Sequence, residues 1–253
     1  MSLFDSHCHL DFAEFDDDRD ALWAQCRAAG IERLLIPGVC LADFQRQAAV
    51  VASCSGTVAA YGLHPWWQQH HRADHLQLLA NWLSRSECVA VGECGLDLAI
   101  DGADLALQRQ LLNAQLALAV DFNKPVVLHV RSAHEPLLNL LKAFRLPKGG
   151  VVHAFSGPPE LAAQYARHGL KLGIGGTISY LRAAKTRRTV AEVPLDWLVL
   201  ETDAPAMPLA GYQGQRNSPL QLPLVLTTLA ALRDEQPLAL ADQLWRTSCE
   251  LFG

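Results

Sequence analysis

Eight times along the chain a short, unbroken apolar run gives way to a longer stretch of helical periodicity. "SLFDSHC" leads into a helix-like segment from about Asp18 to Ala29. "RLLIPG" leads into "LADFQRQAAVVAS", and "TVAAYGLHP" into "ADHLQLLANWLSR". The same alternation continues through "CVAVGECGLD", "PVVLHV", "GVVHAFSG", "LKLGIGG" and "WLVLETDAP". Continuous apolar runs are the mark of strands covered by helices, and hairpin signals between them are few. Eight strand–helix units in about 250 residues predict a (β/α)8 TIM barrel. The last segment, "PLALADQLWRTSCELF", reads as an extra C-terminal helix. A doubly wound open sheet usually has fewer units, and no GxGxxG follows the first strand to support one. No low-complexity linker or shift in composition divides the 253 residues, so residues 1–253 are expected to form a single domain.

Half of the residues are apolar, enough to bury a core without covalent staples. The seven cysteines are odd in number and form no CxxC pair, which points to a reduced cytoplasmic protein rather than a disulfide framework. Neither a signal peptide nor a membrane-length apolar run is visible, so a soluble monomer is expected. The net charge of −5 argues against tight non-specific DNA binding, which needs many phosphate contacts. "SYLRAAKTRR" gathers Arg182, Lys185, Arg187 and Arg188; a solvated helix face is the expectation, a phosphate-contacting surface the sharper alternative.

The polar residues concentrate where a barrel builds its active site. Of ten histidines, His7, His9, His64, His129 and His153 fall at or just beyond predicted strand ends. So do Glu93 and Asp203, and Asp97 follows Glu93 closely. Each residue alone has an ordinary explanation: packing for His64, a satisfied core site for His153, a salt bridge for Glu93. Their joint placement does not. With His64 set aside, four histidines and two carboxylates exceed what one tetrahedral ion needs and suit two divalent ions with a bridging carboxylate. An imidazole-rich set favours zinc or manganese over a pure magnesium cage. His70, His71, His75, His134 and His168 are expected to be structural. The tandem Trp66–Trp67 is expected to pack and form a rim; nothing in the sequence requires it to stack a base.

Within "DSHCH", strand alternation puts His7 and His9 on one face and Cys8 on the other, toward the helices. Asp5 shares the histidines' parity one step deeper and could orient a ligand imidazole.

The segments "FDSHCHLD", "GLHPWW", "AVGECGLD", "PVVLHVRSAHE", "VVHAFSG", "LGIGGTISY" and "LVLETDAPAMPL…RNSP" occur in this order. The chain resembles the TatD family of metal-dependent hydrolases, amidohydrolase-like barrels, as far as about Pro219. "ETDAPAMPLAGYQGQ" is most similar to the YjjV-like branch. The resemblance implies a binuclear centre of divalent Zn, Mn or Mg. His7 and His9 would be ligands, Glu93 the bridge, His129 and His153 ligands of the second metal, and Asp203 a ligand that also holds the reactive water. It implies a deoxyribonuclease, often working from the 3′ end of DNA or on single strands. Phosphate contacts would fall to His64, Arg131 and Ser156. The residue after "ETDAP" is not the aromatic many members carry, which leaves the shape of the substrate pocket open.

Three functions are therefore weighed. The first is a phosphodiester or phosphomonoester hydrolase in which Asp203 takes the proton of a metal-activated water. The second is hydrolysis of a small-molecule phosphate ester, lactone or amide, as in other amidohydrolase-type barrels. Many of those bridge their metals with a carboxylated lysine, and Lys124 sits before its strand, at the wrong end for that. The third is a non-catalytic metal-dependent binder, which the intact ligand set disfavours.

Overall fold

The computed structural model describes residues 1–253, the side chain of residue 73 excepted. Its eight strands are β1 (Leu3–Asp5), β2 (Ile31–Pro37), β3 (Thr57–Tyr61), β4 (Cys88–Asp97), β5 (Val126–Arg131), β6 (Gly150–Val152), β7 (Leu170–Ile174) and β8 (Leu198–Leu200). They pair in parallel and in chain order, β1 to β8. Helices α1 (Arg19–Ala28), α2 (Phe44–Ser53), α3 (Ala73–Leu83), α4 (Leu105–Asp121), α5 (His134–Leu141), α6 (Pro159–Arg167), α7 (Ala184–Glu192) and α8 (Leu222–Arg233) follow their strands in turn. Just past the regular ends of β1 and β8, Ser6 N donates to Leu200 O at 2.9 Å and Asp203 N to His7 O at 2.8 Å. These bonds join the last strand to the first, so the sheet is the expected (β/α)8 barrel.

Alternation along the strands separates two cores. Leu34 and Ile36 of β2 and Val126 and Leu128 of β5 pack outward with helix residues such as Leu112, Leu116 and Tyr165. Leu35, Val127, Ala60, Ala90, Val151 and Val199 face one another inside the barrel. Both faces of each strand are thus dry, which is why the strands read as unbroken apolar runs.

The final helix, α9 (Pro237–Phe252), explains the extra C-terminal amphipathic stretch. Phe252 belongs to the inner core, with Trp245 packed against it. Their rings lie 6.0 and 6.3 Å from that of Phe4 in β1. The helix therefore closes the end of the barrel opposite the strand C-termini. Lys124 is at that closed end too, its Nζ donating to Cys88 O at 2.5 Å. Among the described residues no helix is long and apolar enough to cross a membrane.

The basic segment is largely occupied by its own neighbourhood. Arg188 pairs with Glu160 and Glu192, Arg187 donates to Ile178 O, and Arg182 lies over the Tyr180 ring.

Candidate metal centre

Glu93 is the hub of the open end of the barrel. It sits within β4 rather than at its end, where the pairing with β5 shifts register between Val91 and Cys94. Such an irregularity re-aims a side chain that regular pleating would send elsewhere. Gly95 pairs with His129, and a Cβ there would collide with the His129 carbonyl, so glycine lets the two strands approach this closely.

The two oxygens of Glu93 face different imidazoles. Oε2 is 3.2 Å from His7 Nε2 and 3.6 Å from His9 Nε2. Asp203 Oδ1 completes that side, 3.6 Å from His7 Nε2 and 3.7 Å from His9 Nε2. Oε1 is 2.7 Å from His153 Nε2, 3.0 Å from His129 Nδ1 and 3.1 Å from His64 Nε2. His7 and His153 stack at 4.0 Å between centroids, bringing the two sides together. The six residues expected to bind metal thus converge, and so does His64.

Hydrogen bonding fixes which imidazole nitrogens carry lone pairs. His129 faces a carboxylate at each nitrogen: Nε2 is 2.9 Å from Asp97 Oδ2, which holds a proton there, and Nδ1, 3.0 Å from Glu93 Oε1, is the nitrogen that can give up its proton and turn a lone pair to a cation. His64 is the reverse. Its Nδ1 accepts from Trp66 N at 3.1 Å, so Nε2 carries the proton and points it at Glu93 Oε1. His64 is therefore placed as a donor, whereas the Nδ1 of His7, His9 and His153 has no hydrogen-bond partner.

The electrostatics match a cation. Burial pushes His9 and His64 down to about 4, and drives His7 below its usual range, so all three stay neutral at pH 7. Burial would raise Glu93, but His153, His64 and His7 hold it well below the usual carboxylate range. His153 and His129 are the exceptions among the rings: burial opposes their charge, yet Glu93 carries His153 up to about 10, and Asp97 and Glu93 raise His129 above its ordinary value. One carboxylate that stays ionised beside three neutral rings, with His129 and His153 ready to exchange a proton for a metal, is a donor set that fits divalent ions. Residue groups His7–His9–Glu93, His7–His153–Asp203 and His64–Glu93–His129 each place their donor atoms within 4.8 Å of one another.

Asp5 differs from expectation. Strict alternation fails because β1 ends at Asp5, and His7 and His9 follow in irregular backbone. The Asp5 carboxylate accepts from Thr202 Oγ1 at 2.6 Å, Thr202 N at 3.0 Å and His7 N at 3.3 Å. It fixes backbone on both flanks of the centre and touches no imidazole; Asp97 is the carboxylate that orients a ring. Cys8 lies fully buried in the outer core, away from the donor cluster.

Glu201 supplies a pH signature. Burial pushes its carboxyl up from 4.5 to about 8, while Ala154 N donates to its Oε1 at 2.5 Å. In the unfolded chain it ionises near its ordinary value, so between 4.5 and about 8 the folded state keeps a proton that the unfolded state has lost. Folding stability therefore falls through this window as pH rises. Glu201→Gln keeps the acceptor and cannot ionise, so the metal-free variant should gain stability relative to wild type between about pH 5 and about pH 8 in urea titrations. Parallel pH dependences of the two proteins would contradict this.

A cleft of about 380 Å³ opens onto the centre, lined by Glu93, Asp203, His9, His64, His129 and His153, and walled by Phe12, Trp66, Trp67 and Arg216. Arg216 was not legible as a site residue. It lies in the loop after β8, its guanidinium bound to both Asp18 oxygens at 2.9 and 2.5 Å and 4.7 Å from the Phe15 ring centre. That grip ties the loop to the segment following β1 and roofs the cleft. Arg131 and Ser156 do not line the cleft. Arg131 ends β5 with its side chain exposed, and Ser156 is exposed with its Oγ 3.2 Å from Thr186 Oγ1.

A family model described as TatD related DNase matches residues 4–253. The uncharacterized metal-dependent hydrolase YjjV of Escherichia coli is 42% identical over 253 residues, covering 99% of this chain and 98% of that protein. The 3′-5′ ssDNA/RNA exonuclease TatD of Cronobacter sakazakii is 35% identical over 246 residues, covering 93% of this chain and 92% of that protein. The crystal structure of E. coli YjjV matches with a TM-score of 0.95 at 41% identity, covering 99% of this chain and 97% of that one.

Proposed function

The chain belongs to the TatD-related DNase family of metal-dependent hydrolases, and from that premise we propose that it cleaves phosphodiester bonds in DNA through a pair of divalent ions. One observation carries the reading: each oxygen of Glu93 faces its own set of imidazoles. His7, His9 and Asp203 would hold one ion with Glu93 Oε2. His129 and His153 would hold the other with Oε1. Zinc, manganese and magnesium are the candidate metals, and the imidazole content favours the first two. Bound there, the ions would polarise a phosphoryl oxygen and make a water acidic enough to attack at neutral pH.

The side chains do the rest. Burial raises Asp203 to about 6, so it is ionised at neutral pH yet basic enough to take the proton of the attacking water. Asp203 also has a backbone φ of 55°, a conformation costly for a residue with a side chain and typical of functional positions. His64 offers its Nε2 proton to the developing charge on the phosphoryl oxygens. Arg131 and Ser156, outside the cleft lining, are assigned to flanking phosphates of a longer strand. The names of related exonucleases favour a single strand or a 3′ end as the substrate, released 3′ to 5′. The working unit in this reading is a monomer of one domain, residues 1–253. Seven free cysteines suit the reducing cytoplasm.

The test is a panel on metal-reconstituted protein: single-stranded DNA, duplex DNA with 3′ ends, RNA, a small phosphate ester and a lactone. Release of mononucleotides from single-stranded DNA, dependent on Mg²⁺ or Mn²⁺, is the expected result. Turnover of the lactone alone would replace this reading with small-molecule hydrolysis.

A further inference from the structure

Trp66 presents a large indole that is 54% exposed, at the wall of the cleft that opens onto the far less exposed Glu93 cluster. Exposed aromatic surface is unremarkable when the side chain is free to move. Here it is held at two points. The indole Nε1–H donates to Asp97 Oδ2 at 2.7 Å, and the Trp66 backbone N–H donates to His64 Nδ1 at 3.1 Å. Asp97 is itself fully buried, shares Oδ2 with His129 Nε2 and receives Ala99 N on Oδ1 at 2.8 Å. The ring is thus registered to two residues of the Glu93 cluster while its surface stays open.

Trp66 is the most open of the aromatic walls. Phe12 is stacked on His9 at 4.4 Å, and Trp66 and Trp67 both meet the His64 ring edge-on, at 5.7 and 5.6 Å, but Trp67 is the more buried of the two. Trp66 and Trp67 are 6.2 Å apart and tilted by 35°, so neither covers the other by stacking. A rigid, half-exposed indole beside a phosphate-directed centre has the form of a stacking surface, since every base offers a π-face of matching size.

We propose that Trp66 is the base-stacking platform of the cleft, receiving a nucleobase of the strand whose phosphate faces Glu93, and so makes the enzyme prefer base-bearing to abasic chains. This rests on the phosphodiesterase reading above and adds a specificity-determining residue to it. The hydrogen bond to Asp97 places the platform, and the ring face performs the recognition.

The experiment compares two single-stranded oligodeoxynucleotides of equal length on the metal-reconstituted enzyme, one normal and one with tetrahydrofuran abasic residues at its last three 3′ positions. Wild type should prefer the normal strand by roughly ten- to a hundredfold in kcat/KM, the range expected of one base stack. Trp66→Phe, which loses the bond to Asp97 but keeps an aromatic face, should retain most of that preference. Trp66→Ala should bring the ratio near one. Because each ratio is internal to one protein, a general loss of activity through Asp97 and His129 does not mimic the result. Equal turnover of the two strands by wild type, or an undiminished preference in Trp66→Ala, would overturn the inference and leave the phosphodiesterase reading in place. Turnover of neither strand would remove both.

Discussion

Glu93→Ala should leave a folded barrel that no longer retains its metals and has lost about 10³-fold or more in kcat/KM, equivalent to about 4 kcal/mol of transition-state stabilisation. The two oxygens of Glu93 face the two sets of imidazoles. Its carboxylate is within 3.6 Å of His7, His9, His64, His129 and His153, and it is nearly inaccessible to solvent. Without it the imidazoles lose the negative charge that offsets a bound cation in a dry site. Glu93→Gln separates charge from shape: it conserves volume, so a loss as deep as that of Glu93→Ala would assign the effect to the charge. Metal content by elemental analysis and initial rates on single-stranded DNA check both variants. Full metal content with near-normal turnover in Glu93→Ala would contradict the assignment.

Asp203→Asn should act differently, lowering kcat by roughly 10²–10⁴-fold, the range of a general base, with much of the metal kept. Asp203 shares its side of the centre with His7, His9 and Glu93 Oε2, so three donors remain there when it is replaced. The amide preserves the size of the carboxylate and cannot accept a proton from water. The pH profile adds a second readout. With Asp203 at about 6, the wild-type rate should fall as the pH drops through that value, because protonation removes the base. Metal binding by the histidines weakens in the same direction, so the comparison must be made at saturating metal. Asp203→Asn with intact metal and unchanged kcat would show that the proton goes elsewhere.

The barrel was legible because its strands are dry on both faces and its helices are amphipathic, two patterns that survive in a bare sequence. The final helix was legible for the same reason, and its plugging role explains why it is apolar at Phe252 as well as along its flank. The convergence of His7, His9, Glu93, His129, His153 and Asp203 was legible as a group because barrels place strand C-termini around one mouth. The local geometry was not. Parity arguments assume a continuing strand, but β1 ends at Asp5, before either histidine. Glu93 is set by a register break inside β4, not by a strand end. The tautomers of His64 and His129 depend on Trp66 N and Asp97, partners fixed only by the folded loops. Arg216 escaped notice because its contacts with Asp18 and the Phe15 ring span about two hundred residues of chain. Arg131 and Ser156 came from motif position alone, and position says nothing about whether a side chain turns into the cleft.

In the proposed function Glu93 divides the centre into two metal sites. Anomalous scattering from crystals grown with Mn²⁺ tests it most directly. Two peaks are expected, one beside Glu93 Oε2 among His7, His9 and Asp203, the other beside Oε1 among His129 and His153. A single peak, coordinated by one side only at saturating metal, would contradict the account.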